Sequence, residues 1–406
     1  MSYSNFIYQQ QTSIVFGKGS VDCMGELLEK AEAKKVMITM GGDSIRKNGV
    51  LNQVIGQLDK VGIGYCMYSG CIPNPRSTWV DGGAVVFAGE KCDFIIAVGG
   101  GSVIDASKAI AMIVTNPHKD GIWHYISGKG MFESKGIPLG TVLTLAATGS
   151  ECNGNFVITN SDTGEKLVCS HNWARPIFSI CDPEHTYSVN KWQTACGVVD
   201  TFSHVLEQYM NNSNTNDVSD GMCMGVLKSL IKWGPIAIAE PDNYDARANL
   251  MWASTIGLNG ILGAGCEGNW VSHMLEHALS AMFDASHGAG LACIMPFYLQ
   301  FISDQDTVGK LDHLGYEMFG IDRSDKDIKS KMVRELRGFF KSLGITTTLT
   351  ELVKSSLTEE DIETMAEKAL MGYTMKVGGY KPFSRENAVE VFRCALNGGN
   401  QEKSLC

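Results

Sequence analysis

His273, Glu276 and His277 stand in the run "WVSHMLEHALSAMFDASHGAG". The H-x-x-E-H spacing sets two imidazoles one helical turn apart, as in a class of zinc peptidases whose glutamate is the base. A peptidase centre would need a further carboxylate. It would also leave three other groups idle: His287 in "DASHGAG", and Asp200 with His204 in "VVDTFSHVLEQY". Asp200 and His204 are spaced i, i+4 and share a helix face, a spacing that His273 and His277 repeat. One carboxylate and three imidazoles suit a divalent first-row cation such as Fe²⁺ or Zn²⁺, provided they converge in space. Singly, such a pair is commonly a surface coincidence and such a histidine commonly structural.

A second constellation is "AVGGGSVIDASKAIA" (97–111), where an apolar run meets three glycines, Ser102 and a helical pattern. Glycines lacking Cβ let backbone N–H groups approach an anion, and a helix N-terminus adds favourable partial charge. The spacing is not G-x-G-x-x-G, and the cluster follows the third predicted strand rather than the first. A plain tight turn is the alternative. "TLAATGSE" follows another strand with Thr144, Thr148, Ser150 and Glu151. Its hydroxyls suit a ribose or a nicotinamide amide, and equally a helix N-cap. Two such clusters, both at strand C-terminal ends, favour a dinucleotide.

These groups need elements to carry them. "KVMITM", "GYCMYSG", "CDFIIAVGGGS", "IPLGTVLTLAATGSE" and "NFVITN" read as strands, and "SVDCMGELLEKAEA" and "GVLNQVIGQLDKVGI" as helices between them. That alternation indicates a parallel sheet wrapped by helices. Beyond "CDPEHTYSV" strand-like runs nearly vanish, and helical periodicity dominates 192–210, 219–234, 245–262, 269–283 and 325–343. The expectation is an α/β nucleotide-binding domain over 1–182 and an all-helical metal-binding domain over 183–406. The site is expected in the cleft between them. Residues after Gly398 read as a short frayed tail.

The 406 residues carry 19% charged and 44% hydrophobic side chains, with a net charge of −10. That excess of acid argues against a nucleic-acid surface. No apolar run approaches the length that a bilayer needs, about 18–20 residues. Thirteen scattered cysteines without C-x-x-C pairing, and a non-secretory start, predict reduced thiols in a cytoplasm.

Taken together, "GGGSVIDASK", "TLAATGSE", "DPEHTYSV", "GVVDTFSHVLEQY" and "HMLEHALSAMFDASHGAGLACIMP" resemble the iron-containing (group III) alcohol dehydrogenases, in particular their butanol-dehydrogenase-like aldehyde reductases. The resemblance runs in order from "IVFGKGSVD" to "NAVEVFRCAL". It implies a dehydroquinate synthase-like fold, a nicotinamide cofactor, a small primary alcohol or aldehyde as substrate, and a homodimer. By the same resemblance Asp200, His204, His273 and His287 bind the metal, and His277 assists proton transfer. Gly99, Gly100, Gly101 and Ser102 take the pyrophosphate, with Asp105 beside the nicotinamide. Thr144, Thr148 and Lys166 lie near the cofactor.

One departure stands out. Relatives often carry G-G-G-S after the first strand, suited to a 2′-phosphate, where this chain has Gly41, Gly42, Asp43 and Ser44. A carboxylate there would repel that phosphate and accept hydrogen bonds from a ribose 2′-OH. The expectation tilts to NAD(H) over NADP(H), although Arg46 and Lys47 stand nearby and Asp43 could simply cap the next helix. Trp270, Phe156 and Met251 are pocket or core residues. A glycerol-dehydrogenase-like polyol enzyme, or a catalytically silent metal- and nucleotide-binding protein, are the rival readings.

Overall fold

The computed structural model of the chain describes residues 4–353, 356–370 and 380–398; the expected tail after Gly398 lies outside them. Two compact units divide the chain. One comprises residues 9–190 with 240–259, and the other holds the remaining described residues. The division thus falls at 190/191 rather than 182/183. The helix Tyr244–Gly257, expected in the helical domain, belongs to the α/β unit. There Thr255 donates to Glu151 Oε1 (2.6 Å) and the Gly149 amide donates to Ser254 Oγ (3.3 Å). Periodicity shows that a helix has a buried face, but not which unit buries it.

In the α/β unit, β1 (Ser13–Phe16), β2 (Lys35–Met40), β3 (Gly64–Tyr68), β4 (Phe94–Gly99), β5 (Leu139–Leu143) and β8 (Phe178–Cys181) form one sheet. Its order is β1-β8-β5-β4-β2-β3, with every neighbouring pair parallel. The glycine run therefore follows the fourth strand, because β1 precedes the first predicted one. The run "NFVITN" departs from the parallel expectation: β6 (Asn155–Asn160) pairs antiparallel with β7 (Glu165–Ser170). The link between them is too short for a parallel crossover, which takes a dozen residues or more. Gly164 closes the turn at φ +62°, donating its amide to Asn160 O (2.9 Å).

Both sheet faces are apolar, as a doubly covered parallel sheet requires. Phe94, Ile96 and Val98 of β4 pack with Met24, Leu28 and Val54 on one side. Ile95 and Ala97 face Ile104 and Ile110 on the other. From β2 the chain runs outward to β3 and then returns to the far side of β2 for β4. The C-terminal ends of β2 and β4 thus flank the point where strand order reverses, the usual ligand position in such sheets. Met40 stands level with Val98, so the turns at Gly41 and Gly99 lie side by side.

No strand follows β8 among the described residues of the second unit. Its helices include Lys191–Tyr209, Asp217–Ala239, Val271–Phe283, His287–Ile302 and Ile328–Ser342. The helix Asp217–Ala239 corrects the membrane expectation in one respect. Its 23 residues, with mean hydropathy 1.3 over the best window, are long and apolar enough to cross a bilayer. Here Cys223, Leu227 and Leu230 are buried and the helix packs along Lys191–Tyr209. Among the described residues eleven cysteines are free thiols, whereas Cys394 is disulfide-bonded, so the expectation of reduced thiols does not hold there.

Candidate metal centre and nucleotide turns

The helix Lys191–Tyr209 is buried continuously from Thr194. Apolar Val198, Val199, Phe202, Val205 and Leu206 account for most of that burial, and Asp200, His204 and Glu207 form a polar stripe among them. Val271–Phe283 brings His273 and His277 alongside. It ends at Asp284 with φ 49°, and the chain reverses so that His287 begins the next helix. The four expected ligands converge. Asp200 Oδ1 lies 3.5 Å from His204 Nδ1, 3.7 Å from His273 Nε2 and 3.5 Å from His287 Nε2. The ring centroids of His204 and His273 are 4.5 Å apart, and those of His273 and His287 5.3 Å.

Those separations decide what the cluster suits. They exceed the 2.7–3.2 Å of a hydrogen bond. Two bonds of about 2.1 Å to one tetrahedral cation would set their ligand atoms ~3.4 Å apart. Asp200 Oδ1 and His273 Nε2 are buried and make no hydrogen bond. The donor set and the orphaned atoms therefore fit a divalent metal. Burial opposes ionisation of Asp200, but the charges of His204, His287 and His273 overcome it and hold the carboxyl well below the usual range. Burial likewise opposes a charge on His273, yet Glu207 and Asp200 raise its pKa to about 9. A metal must displace that proton.

Two carboxylates support the rings from behind. Glu207 Oε2 bonds His273 Nδ1, while Glu207 Oε1 accepts from the Ser272 amide (2.6 Å). Glu276 Oε2 bonds His287 Nδ1, and Ser280 Oγ donates to Glu276 Oε1. Carboxylate–imidazole pairs of this kind set the tautomer and aim the other nitrogen at the metal. Glu276 is thus committed to His287 and is not free to be a peptidase base. The sequence reading assigned neither carboxylate this role. Glu207 was visible as the i+7 position on the Asp200 face, but the Glu276–His287 pair depends on the reversal between two helices. His277 is buried beside the cluster, 6.4 Å from His273 and 5.5 Å from His287 by ring centroid. It groups with Glu276 and His287 rather than with Asp200, His204 and His273. Half-buried Trp270 meets His273 edge-on at 5.6 Å, whereas Phe156 and Met251 belong to the core of the other unit.

In the α/β unit β4 ends at Gly99 and a 15-residue helix, Gly101–Thr115, starts two residues on. A Cβ at Gly101 would meet Thr148 Cγ2 at 2.4 Å, so glycine there lets the two polar turns touch. Ser102 stands in the first turn. Thr144 donates its amide to Gly99 O (3.0 Å), and Thr148 Oγ1 accepts from the Ser150 amide (3.2 Å). Asp105 is buried and already engaged, accepting from Ser150 Oγ (2.5 Å) and the Val157 amide (3.0 Å). Burial raises its pKa, against the pull of Lys108, those hydrogen bonds and Lys166 on β7. Lys108, unmarked in the sequence reading, is buried and donates to Ser150 Oγ, Asn153 Oδ1 and Asn155 O. Burial lowers its pKa to about 8. Gly41 and Gly42 link β2 to the short helix Ser44–Lys47. Asp43 precedes that helix without a capping hydrogen bond, exposed and 3.7 Å from Arg46.

Residues 11–183 match the model of the iron-containing alcohol dehydrogenases, and residues 194–396 match that of the C-terminal domain of the Fe-containing alcohol dehydrogenase family. The chain belongs to the iron-containing alcohol dehydrogenase family. It is 37% identical to NADH-dependent butanol dehydrogenase A of Clostridium acetobutylicum, over 96% of this chain and 99% of that one. It is also 37% identical to an NADPH-dependent aldehyde reductase of Escherichia coli, over 86% and 89%. The crystal structure of NADH-dependent butanol dehydrogenase A from Thermotoga maritima superposes with a TM-score of 0.92 at 34% identity, covering 98% of this chain and all of that one. The enzyme is an NAD(P)-dependent alcohol dehydrogenase that takes a nicotinamide cofactor and a divalent metal. The polyol and silent-protein alternatives are not favoured by these relatives.

Proposed function

We propose that the enzyme interconverts small primary alcohols and aldehydes of butanol-like size at the Asp200–His204–His273–His287 centre. One observation carries this reading: a buried carboxylate oxygen without a hydrogen bond stands 3.5–3.7 Å from three imidazole nitrogens. A divalent cation held there supplies Lewis-acid stabilisation of charge on the carbonyl oxygen, and the nicotinamide carries the hydride. The chain's own residues do the rest. Glu207 and Glu276 aim His273 and His287. His277, beside but outside the ligand set, holds the proton that reduction delivers to the substrate oxygen. Trp270 offers an apolar wall. Gly99, Gly100, Gly101 and Ser102 present backbone N–H groups to the pyrophosphate, while Thr144, Thr148, Lys166 and Asp105 shape the turn beside it. Because Asp43 is exposed and makes no capping hydrogen bond, its carboxylate is available to a ribose 2′-OH, which favours NAD(H). A cytoplasmic homodimer completes the proposal.

The test is oxidation of NADH and NADPH by anaerobically purified protein with butyraldehyde, before and after chelation and Fe²⁺ or Zn²⁺ restoration. Turnover is expected only with metal, and faster with NADH. Turnover that survives full chelation would overturn the metal reading, and a strong NADPH preference would overturn the role of Asp43. Glu207→Gln is expected to weaken metal binding about 10–100-fold. Competition against a chromophoric chelator measures this. Unchanged affinity would mean that packing alone orients His273.

A further inference from the structure

Beside the nucleotide turns lies a buried cation that the chemistry above does not use. Lys108 stands in the middle of the helix Gly101–Thr115, fully buried. Its ammonium meets Ser150 Oγ at 2.7 Å, Asn153 Oδ1 at 3.1 Å and Asn155 O at 2.8 Å. We propose that Lys108 is a positioning residue for the nicotinamide end of the cofactor, fixing through Ser150 the Asp105 carboxylate and the turn against which that end lies. This role rests on the reading that the glycine run and "TLAATGSE" hold the dinucleotide.

Sheet order sets which end of the cofactor this is. β5 lies beside β4 on the side away from β2. With the pyrophosphate at Gly99–Ser102 and the adenosine ribose beside Asp43, the other half of a dinucleotide extends over the turn after β5. In that turn Thr144 and Thr148 are half-buried, whereas Ser150, Glu151 and Asn153 are buried. Lys108 is too deep to touch a bound molecule itself, so its influence passes through these groups.

An ammonium has three N–H groups and no lone pair, so Lys108 can only donate. Ser150 Oγ accepts one of those protons and gives its own to Asp105 Oδ1, at 2.5 Å. Without the ammonium that hydroxyl would be free to turn. Asp105 Oδ2 meanwhile accepts the Val157 amide on β6 (3.0 Å). Burial pushes the Asp105 carboxyl towards its neutral form, and the charge of Lys108 is the strongest influence against it. One cation thus sets both the direction of the Ser150 hydroxyl and the charge on Asp105. Asn153 carries the frame onward. Its amide donates to Gly149 O (2.9 Å) and Leu258 O (3.2 Å), and its Oδ1 accepts the Asn155 amide (2.9 Å). Gly149 turns at φ +59°, where an added Cβ would lie 2.9 Å from Ser254 O. Stability gives no reason for the buried charge, since well-packed apolar groups in place of a buried ion pair are often neutral or stabilising. What the ammonium supplies is a fixed pattern of donors and acceptors within the turn.

The experiment is calorimetric binding of NADH, and of ADP-ribose, which lacks the nicotinamide, to metal-loaded full-length enzyme. Lys108→Met is expected to weaken NADH by about 10–100-fold, the size of a lost charge-assisted hydrogen bond, and to leave ADP-ribose unchanged. Equal weakening of both ligands, or of neither, would overturn the role. Ser102→Asp, which sets a carboxylate in the first turn of the helix, tests the cofactor reading separately. It is expected to weaken both ligands. Indifference of both would remove the reading and the role together, whereas weakening there beside an indifferent Lys108→Met would remove the role alone. If circular dichroism shows Lys108→Met misfolded, the wild type answers by pH. The groups facing the ammonium are Asp105 on its own helix, Glu151 and Cys152 after β5, and Arg175 before β8. Burial lowers the Lys108 pKa to about 8 and holds the Cys152 thiol well above its usual range. As pH rises from about 7 to 9 the ammonium loses its proton, so NADH is expected to bind more weakly while ADP-ribose does not. An NADH affinity that stays level across that range would overturn the role.

Discussion

Replacing His273 with alanine is expected to abolish turnover and empty the metal centre, whereas His277→Ala leaves the metal bound and only slows the reaction. The ranking follows from the size of each effect. Metal coordination moves the pKa of water from 15.7 to about 7. Nine units at about 1.36 kcal/mol each give roughly 12 kcal/mol as an upper guide to charge stabilisation at an oxygen. General acid–base assistance contributes about 10²–10⁴-fold, roughly 3–5 kcal/mol. Geometry separates the residues in the same way. His273 Nε2 is one of the nitrogens around Asp200 Oδ1, and Glu207 secures its other side. The His277 ring stands farther off, its centroid 6.4 Å from that of His273. Metal analysis together with single-turnover rates tests the pair. Equal rate losses with metal retained in both variants would reverse the assignment.

Gly288→Ala is expected to damage the centre without touching a ligand. An ideal Cβ at Gly288 would lie 2.1 Å from the Cys196 carbonyl oxygen and 2.7 Å from its carbonyl carbon. Those are backbone atoms one turn before Asp200, so no side-chain rotation relieves the clash. The start of the helix His287–Ile302 must move away from Lys191–Tyr209, and His287 moves with it. Overpacking of this kind costs about 1–3 kcal/mol. A displacement near 1 Å at a reacting centre costs about 10²-fold in rate. The variant should therefore unfold at lower temperature and bind metal more weakly, with kcat falling further than stability alone explains. Wild-type metal affinity at a lowered melting temperature would show that the helix shift spares His287.

Much of this protein was legible residue by residue because the signals are local. The i, i+4 spacing of Asp200 with His204 depends only on a helix existing, as does the glycine turn between an apolar strand and a helix start. Chain order then located both sites, and the resemblance supplied roles that spacing alone left open. Tertiary structure decided what local pattern cannot encode. Glu276 reads as a catalytic base within its own helix, but the reversal after Asp284 places it against His287, where it orients a ring instead. The helix Tyr244–Gly257 has an ordinary amphipathic pattern, and its buried face joins the α/β unit through Glu151. Lys108 looks like any helical lysine until burial and three acceptors around Ser150 give it a structural role. Periodicity reports which face of an element is buried; only packing between distant segments sets which polar atoms meet there and which stay without a hydrogen bond.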